Sequence, residues 1–421
     1  MIAKKFNHLL IYCSSILITF TIVYLSFNVD LKGYVQNSLE IISGYKKAMQ
    51  IYEDVDYMKY YIAALFAALL FCLQLYRLKR ELFSYQQLAK LLLIMLAFYY
   101  CFSYSFTRGA AALFFKCSIV SVVVFLSIYL TKDNVAKNRF YTLTIFILSF
   151  GFFNYFYNDF FTVTNWHPSQ YTQPIPARLL DKAKTYDVYP YQTSLVYFND
   201  LLYHPRPIIQ SYSAYTPALD RINADFFAQK QVDNILFHTS VKNLPWGNTI
   251  DERYFMYEEP LAKIEILKNY AVTGKVNDSL FIAGKRKTTT DIKFKLLTEH
   301  TYSLGEPIDL SSLDSTKLYF FTTDFNYSSK AKLASLLYKF PYISVELTTT
   351  DHKTIKFNTV SDLLVSHSVL NKYCSNFMDY FSLIDNKKFS QLKTIQTIRF
   401  IPNQRGYSTM FAFKIFEATR I

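Results

Sequence analysis

LAKLLLIMLAFYYCFSYSFTRGAAALFFKCSIVSVVVFLSIYL, residues 88–130, decides how this chain is organised. Its two apolar runs, 88–106 and 111–130, are separated by little more than Thr107-Arg108-Gly109. Each approaches the ~20 residues that a helix needs to cross a ~30 Å hydrocarbon core, so the stretch reads as a transmembrane hairpin with a tight turn. Working outward, three more stretches of this kind occupy about 9–27, 60–78 and 140–157. Residues 1–158 are therefore expected to form a transmembrane helical domain. The first stretch follows Lys4 and Lys5, is longer than a secretory signal core and has no small-x-small cleavage site after it, which makes it an uncleaved anchor.

Basic residues set the orientation. One set of short loops carries Lys4, Lys5, Arg77, Lys79, Arg80, Lys90, Lys132, Lys137 and Arg139, nine in all, against five on the other side. The excess places the N-terminus in the cytoplasm, and an odd number of crossings sends everything after about Asn158 outside. The expected location is a cytoplasmic (inner) membrane with an extracytoplasmic C-terminal part. The net charge of +13 divides into +8 for 1–158 and +5 for 159–421. Loop charge facing anionic lipid accounts for much of it, and no nucleic-acid partner is needed.

Composition removes several function classes. Charged residues are 18% of the 421, below the roughly 25% of soluble chains. The closest of nine glycines, 274 and 284, are 10 positions apart, which excludes Rossmann and P-loop phosphate cradles. The five cysteines, at 13, 72, 101, 117 and 374, have no CxxC spacing, and the seven histidines show no metal spacing. No metal and no cofactor is expected. Cys374 stands alone outside, so the outer part must be held by its core.

The outer part divides by pattern. Residues 159–175 read as a Pro-rich linker, 176–270 as an α/β unit and 271–421 as an antiparallel β-sandwich. In the α/β unit a helix is expected from Pro176 through Ala183 and a buried strand over Pro207–Tyr212. Further on, a Thr216-capped helix starts at Pro217, a strand covers Val232–Phe237, and a helix runs from Pro260 to Tyr270. Period-2 alternation then dominates, at Ile292/Phe294/Leu296, Ile343/Val345/Leu347, Ile355/Phe357 and Phe411/Phe413/Ile415. Short helices are expected near 330–339 and 361–372. The whole is an α+β membrane protein.

Several residues invite chemistry. Lys116 lies about two turns, ~10 Å, inside the fourth stretch. It either snorkels to the interface beside Arg108 or joins Arg108 in holding a lipid phosphate, such as that of a polyprenyl-phosphate carrier. Residues 38–49 suit a surface helix interrupted near Gly44. The acids Glu53, Asp54 and Asp56 follow, as a solvated loop or as a catalytic or metal-binding group. Arg206, Gln210, Tyr212, Tyr215 and Asn223 gather around one expected strand-to-helix turn, a good place for an anionic or polar ligand. Alternatively the tyrosines pack, and Arg206 pairs with an acid such as Asp251 or Glu259. Asp251 and Arg253 read most easily as an ion pair.

Long strings carry a resemblance. Asn37–Tyr45 with Ala48-Met49, Pro205–Pro217 with Asn223, and Ile250–Tyr254 with Glu259-Pro260 resemble a signature of poorly characterised bacterial polytopic membrane proteins. The likeness spans most of 30–270. Such proteins resemble the large C-type-fold membrane glycosyltransferases that use a lipid-phosphate sugar donor. The resemblance implies a first-outside-loop carboxylate as acceptor base, at the position of Glu40, or of Asp30, Asp54 or Asp56. It also implies membrane spans ahead of residue 1, hence a short member, a split gene or a fragment. A His- and Asp-containing string is expected after the Arg matching Arg108, where this chain has Gly109-Ala110-Ala111. The competing expectation is a non-catalytic, membrane-anchored glycan-binding or assembly protein that completes a partner membrane subunit.

Overall fold

The computed structural model describes residues 31–49, 174–238, 250–277, 279–337, 342–402 and 408–420, with a few positions between 14 and 21. The apolar stretches expected to span the membrane, with Arg108, Lys116, Asp54 and Asp56, lie outside the described residues or almost wholly so. Among the described residues no helix is long and apolar enough to cross a membrane. Residues 1–45 and 46–421 are separate compact units.

One described helix, α1 (Leu31–Ala48), bridges the boundary and runs unbroken through Gly44, where an interruption was expected. The rest is α+β, with one mixed and two antiparallel sheets. The mixed sheet has the order β2-β1-β3-β5-β4, built from β1 (Thr185–Tyr189), β2 (Leu202–Tyr203), β3 (Asn234–His238), β4 (Tyr270–Lys275) and β5 (Leu280–Lys285). β1 lies parallel to β2 and β3, whereas β3–β5 and β5–β4 are antiparallel. This sheet thus continues past residue 270, where the sandwich was expected to begin.

Strand alternation sends two rows of side chains to opposite faces. Val188, Leu236 and Ile282 are in register and enter a small core with Tyr186, Leu195 and Leu201. Tyr189, Phe237 and Phe281 form the opposing row, with Phe237 and Phe281 stacked at 5.1 Å, and enter the main core. Because both faces are covered, β3 is buried along its whole length, with Ile235, Leu236 and Phe237 apolar in succession. Helix α2 (Ser194–Phe198) covers the small core with Leu195 and Val196.

Helices α3 (Pro217–Ala228) and α4 (Pro260–Asn269) begin where the sequence places them. The Thr216 side chain accepts the Leu219 N–H at 3.2 Å, and proline opens each helix. Two expectations fail. Pro176 leads only a 3₁₀ turn, Ala177–Leu179, before the chain enters β1. Pro207–Tyr212 is not a strand: the Asn223 side chain takes both the N–H and the C=O of Ile208, at 2.9 and 3.0 Å, and a 3₁₀ turn follows at Ser211–Ser213. Local pattern favoured an extended ladder, but a helix side chain supplies the partners instead.

The alternating segments form the antiparallel sheets. One has the order β10-β9-β13-β12, with β7 also on β13; the other is β11-β8-β14-β6. Their ranges are β6 (Ile292–Ser303), β7 (Pro307–Asp309), β8 (Leu318–Asp324), β9 (Ile343–Thr349), β10 (Thr354–Thr359), β11 (Ser368–Val369), β12 (Lys372–Tyr373), β13 (Lys393–Pro402) and β14 (Met410–Arg420). Their buried faces meet through Phe400 on β13, whose ring lies 5.9 Å from Phe321 on β8 and 5.4 Å from Phe411 on β14. Helix α5 (Ser329–Leu337) falls where a short helix was expected, while 361–372 holds a 3₁₀ turn and two short strands.

Aromatic contacts tie the mixed sheet to the rest. Phe377 and Phe381, on α6 (Phe377–Ser382), touch Phe237 at 5.3 and 5.2 Å. The buried Tyr254 hydroxyl donates to the Cys374 carbonyl (3.0 Å) and accepts the Cys374 N–H (2.9 Å). Tyr254→Phe leaves both backbone groups unpaired. A buried orphan group costs about 1–3 kcal/mol, so a lower melting temperature is expected in calorimetry of the purified chain, with Tyr373→Phe as comparison.

Candidate functional site

The residues singled out around 206–223 and 251–259 converge on one charged interior. Arg206 is its hub: the side chain is fully buried. Its guanidinium donates to Asp187 Oδ2 (2.9 Å), the Val188 carbonyl (2.7 Å), the Pro190 carbonyl (2.5 Å) and Ser211 Oγ (3.0 Å). Glu259 stands 3.9 Å from Arg206 Nε, and the Tyr189 ring lies 4.7 Å below the guanidinium carbon. Glu259 in turn accepts from Asn223 Nδ2 at 2.5 Å. The left-handed backbone of Glu259, at φ 44°, is held by these side-chain contacts at the head of α4.

The neighbouring acids and lysine belong to the same interior. Asp220, on α3, accepts the Leu261 and Ala262 N–H groups at 2.9 and 3.0 Å, satisfying donors that α4 cannot pair internally. Lys263 donates to the Glu258 carbonyl, and its ammonium lies 5.4 Å from the Tyr189 ring. A small cavity beside Lys263, also lined by His367, Tyr380 and Met256, has room for about one water molecule and none for a sugar ring.

Burial governs the electrostatics. It pushes Asp220 up to about 7, helped by Glu259 and against the two N–H donors. It pushes Glu258 up to about 7 against Arg253 and Lys263, and brings Lys263 down to about 8. Asp187 is raised because burial exceeds the pull of Arg206, while Asp187 and Glu259 outweigh burial at Arg206 and raise it. The 2.9 Å contact and the three further acceptors around the guanidinium favour the charged form.

Arg253 forms a second centre. It faces Asp251 at 3.3 Å and Glu258 at 3.6 Å, donates to the Tyr212 carbonyl at 3.5 Å, and donates to the Ala48 carbonyl at the end of α1. Met49 Sδ lies 3.8 Å away. Beside Ala48, Lys47 pairs with Asp362 and sits 4.3 Å over the Tyr327 ring.

The structure therefore joins Arg206 and Asn223 through Glu259 and places Tyr212 against Arg253. It does not bring all the expected residues into one open site. Gln210 is exposed, Tyr212 is half-buried and Tyr215 is packed in the interior. Arg206 pairs chiefly with Asp187, a residue the sequence reading passed over; the signal was an acid inside the otherwise apolar strand Tyr186–Tyr189. Asp220, Glu258, Lys263, Lys47 and Asp362 were also missed, although the doubled acid before Pro260 marked the head of α4. Glu40 is half-buried on α1. Among the described residues no group of three His, Cys, Asp or Glu is arranged to hold a metal. Comparison with known proteins gives no match to a family model, a curated protein or a solved structure.

Two outcomes follow for this interior. Breaking a buried ion pair from one side costs about 3–5 kcal/mol, so Arg206→Met is expected to lower unfolding stability by that amount in denaturant titration. Glu258 and Asp220 bind protons in the fold that the unfolded chain releases, because their pKa values are raised to about 7. Their contribution is complete below the ordinary carboxylate range and is lost as pH rises through about 7. Lys263, lowered to about 8, acts oppositely and returns stability above that pH. The melting temperature is expected to fall from pH 5 to pH 7, and Glu258→Gln flattens the fall.

Proposed function

We propose that the chain is a multi-pass membrane protein of the bacterial cell envelope, glycosyltransferase-like, acting on lipid-linked sugars at the outer face of the cytoplasmic membrane. The apolar stretches and basic loops of residues 1–158 support the topology. The strings at 37–49, 205–217 and 250–260 support the class. The observation that carries the reading is the attachment of Lys47–Met49, at the C-terminal end of α1, to the C-terminal module by Arg253 and Asp362. Residues 47–49 then belong with the module.

In this reading a carboxylate among Glu40, Asp54 and Asp56 takes the proton of the acceptor hydroxyl. Arg108 and Lys116 hold the departing lipid phosphate. The sheets after residue 285 form an extracytoplasmic β-sandwich beside the α/β unit.

A second reading is a non-catalytic glycan-binding or assembly protein that completes a partner membrane subunit. It is favoured by Tyr197 (81% exposed), Phe198 and Leu202 (55% exposed), apolar groups that α2 and β2 present outward. Glu40→Gln, Asp54→Asn and Asp56→Asn separate the two. Loss of an envelope polysaccharide at one position, with normal protein level, is expected from the enzyme. Wild-type glycan from all three removes catalysis from this loop.

A further inference from the structure

We infer that helix α1 lies in the membrane interface with Val35, Leu39 and Ile42 seated among the lipid acyl chains. The inference deepens the membrane reading proposed above and rests on it. The three residues stand at i, i+4 and i+7, and at 3.6 residues per turn they share an arc of about 60° on one side of the helix. All three are exposed, at 48%, 61% and 70%. A helix surrounded by water turns such a row into a core, so an open stripe of valine, leucine and isoleucine calls for an apolar medium. Gln36 and Ser43, both exposed, stand about 80–100° around the helix from Val35 and give α1 a polar flank.

Chain connectivity fixes the occupant as lipid. Helix α1 opens four positions after the apolar stretch 9–27 ends, so Leu31 lies within about 14 Å of residue 27 even with the link fully extended. The described positions of that stretch, Ser14, Ser15, Ile18, Thr19 and Thr21, are helical. Ile18 is exposed, and the Thr19 hydroxyl donates to the Ser15 carbonyl at 2.9 Å, which satisfies it within its own helix. A helix leaving a membrane-anchored stretch by so short a link stays at the lipid surface. Charge agrees, since the α1 sequence carries Lys32, Lys46 and Lys47 against the one acid Glu40, a balance suited to anionic headgroups.

This seating bears on the proposed chemistry. Glu40 stands about 140° around the helix from Val35 and about 100° from Leu39. With the stripe in the acyl region, Glu40 is on the side away from it, where a carboxylate keeps its charge without entering hydrocarbon. The candidate base is then held at headgroup depth, the level of a lipid-linked phosphate.

The test uses the full-length protein with Trp166→Phe and Trp246→Phe, which removes both native indoles. It is reconstituted in vesicles of phosphatidylcholine and phosphatidylglycerol with ordinary or brominated acyl chains. Leu39→Trp, Ile42→Trp, Gln36→Trp and Ile18→Trp are added singly, because acyl bromine quenches indoles that touch the chains. Leu39→Trp and Ile42→Trp are expected to lose about half of their emission in brominated lipid, and Gln36→Trp roughly a quarter of that loss. Ile18→Trp reports on the membrane reading: without quenching there, that reading falls and takes the inference with it. Quenching at 18 but not at 39 and 42 overturns the inference and leaves the membrane reading standing. Blue emission at 39 then marks cover by protein, whether a second copy or another span, and red emission marks water. Equal quenching at 36 and 39 overturns the assigned face. Ile42→Trp keeps the test valid should Leu39→Trp fail to fold.

Discussion

A guanidinium sealed from water governs the architecture of residues 185–263. Ionic groups leave water at a cost of several kcal/mol each, and only close, well-directed partners offset it. Arg206 obtains those partners from three directions: strand β1 through Asp187 and Val188, the turn at Pro190, and the 3₁₀ turn at Ser211. The segment between β2 and α3 is consequently wrapped around one side chain. Glu259 extends the same electrostatics to Asn223 and the head of α4.

This arrangement explains why an acid- and base-rich region sits within an aromatic core. Tyr189, Phe237 and Phe281 give β1, β3 and β5 a common apolar face, and Asp187 shares the Tyr189 side of its strand. Helices α3 and α4 pack over that face and bring Asp220, Asn223, Glu259 and Lys263 to it. Asp220 and Asn223 take partners from distant parts of the chain, at Leu261, Ala262 and Glu259, whereas Lys263 donates to the nearby Glu258 carbonyl. Arg253 repeats the principle at the end of α1, where a buried cation closes a helix terminus some 200 residues away in sequence.

The sequence was legible where the governing forces are local. Thr216-Pro217 and Pro260 start helices because a capping oxygen and a fixed proline φ act within one turn. The alternations at Ile343/Val345/Leu347 and Phe411/Phe413/Ile415 form strands because one face of each is buried against the other sheet. It was misread at Pro207–Tyr212, where Asn223 replaces a neighbouring strand, and it gave no expectation for Thr185–Tyr189, where Asp187 breaks the apolar pattern a buried strand should show. The candidate residues fared similarly. The Asp251–Arg253 pair was visible from spacing alone, and Glu259 was named as a partner for Arg206. Asp187 and Asp362 were not, since nothing close to them in the chain calls for a charge.

Sequence by itself determined the apolar stretches before residue 158, the lack of the usual glycine-rich nucleotide cradles, the helix starts and the alternating strands. These depend on composition and on periods of two or 3.6 residues, which any reader of the chain can count. Tertiary structure alone decided that Arg206 is an internal fastener rather than an exposed ligand group, and that Arg253 holds the end of α1. Burial and ion pairing depend on where remote segments meet. Whether a cation is solvated or enclosed is set by neighbours 19 and 205 residues away, beyond the reach of any local pattern.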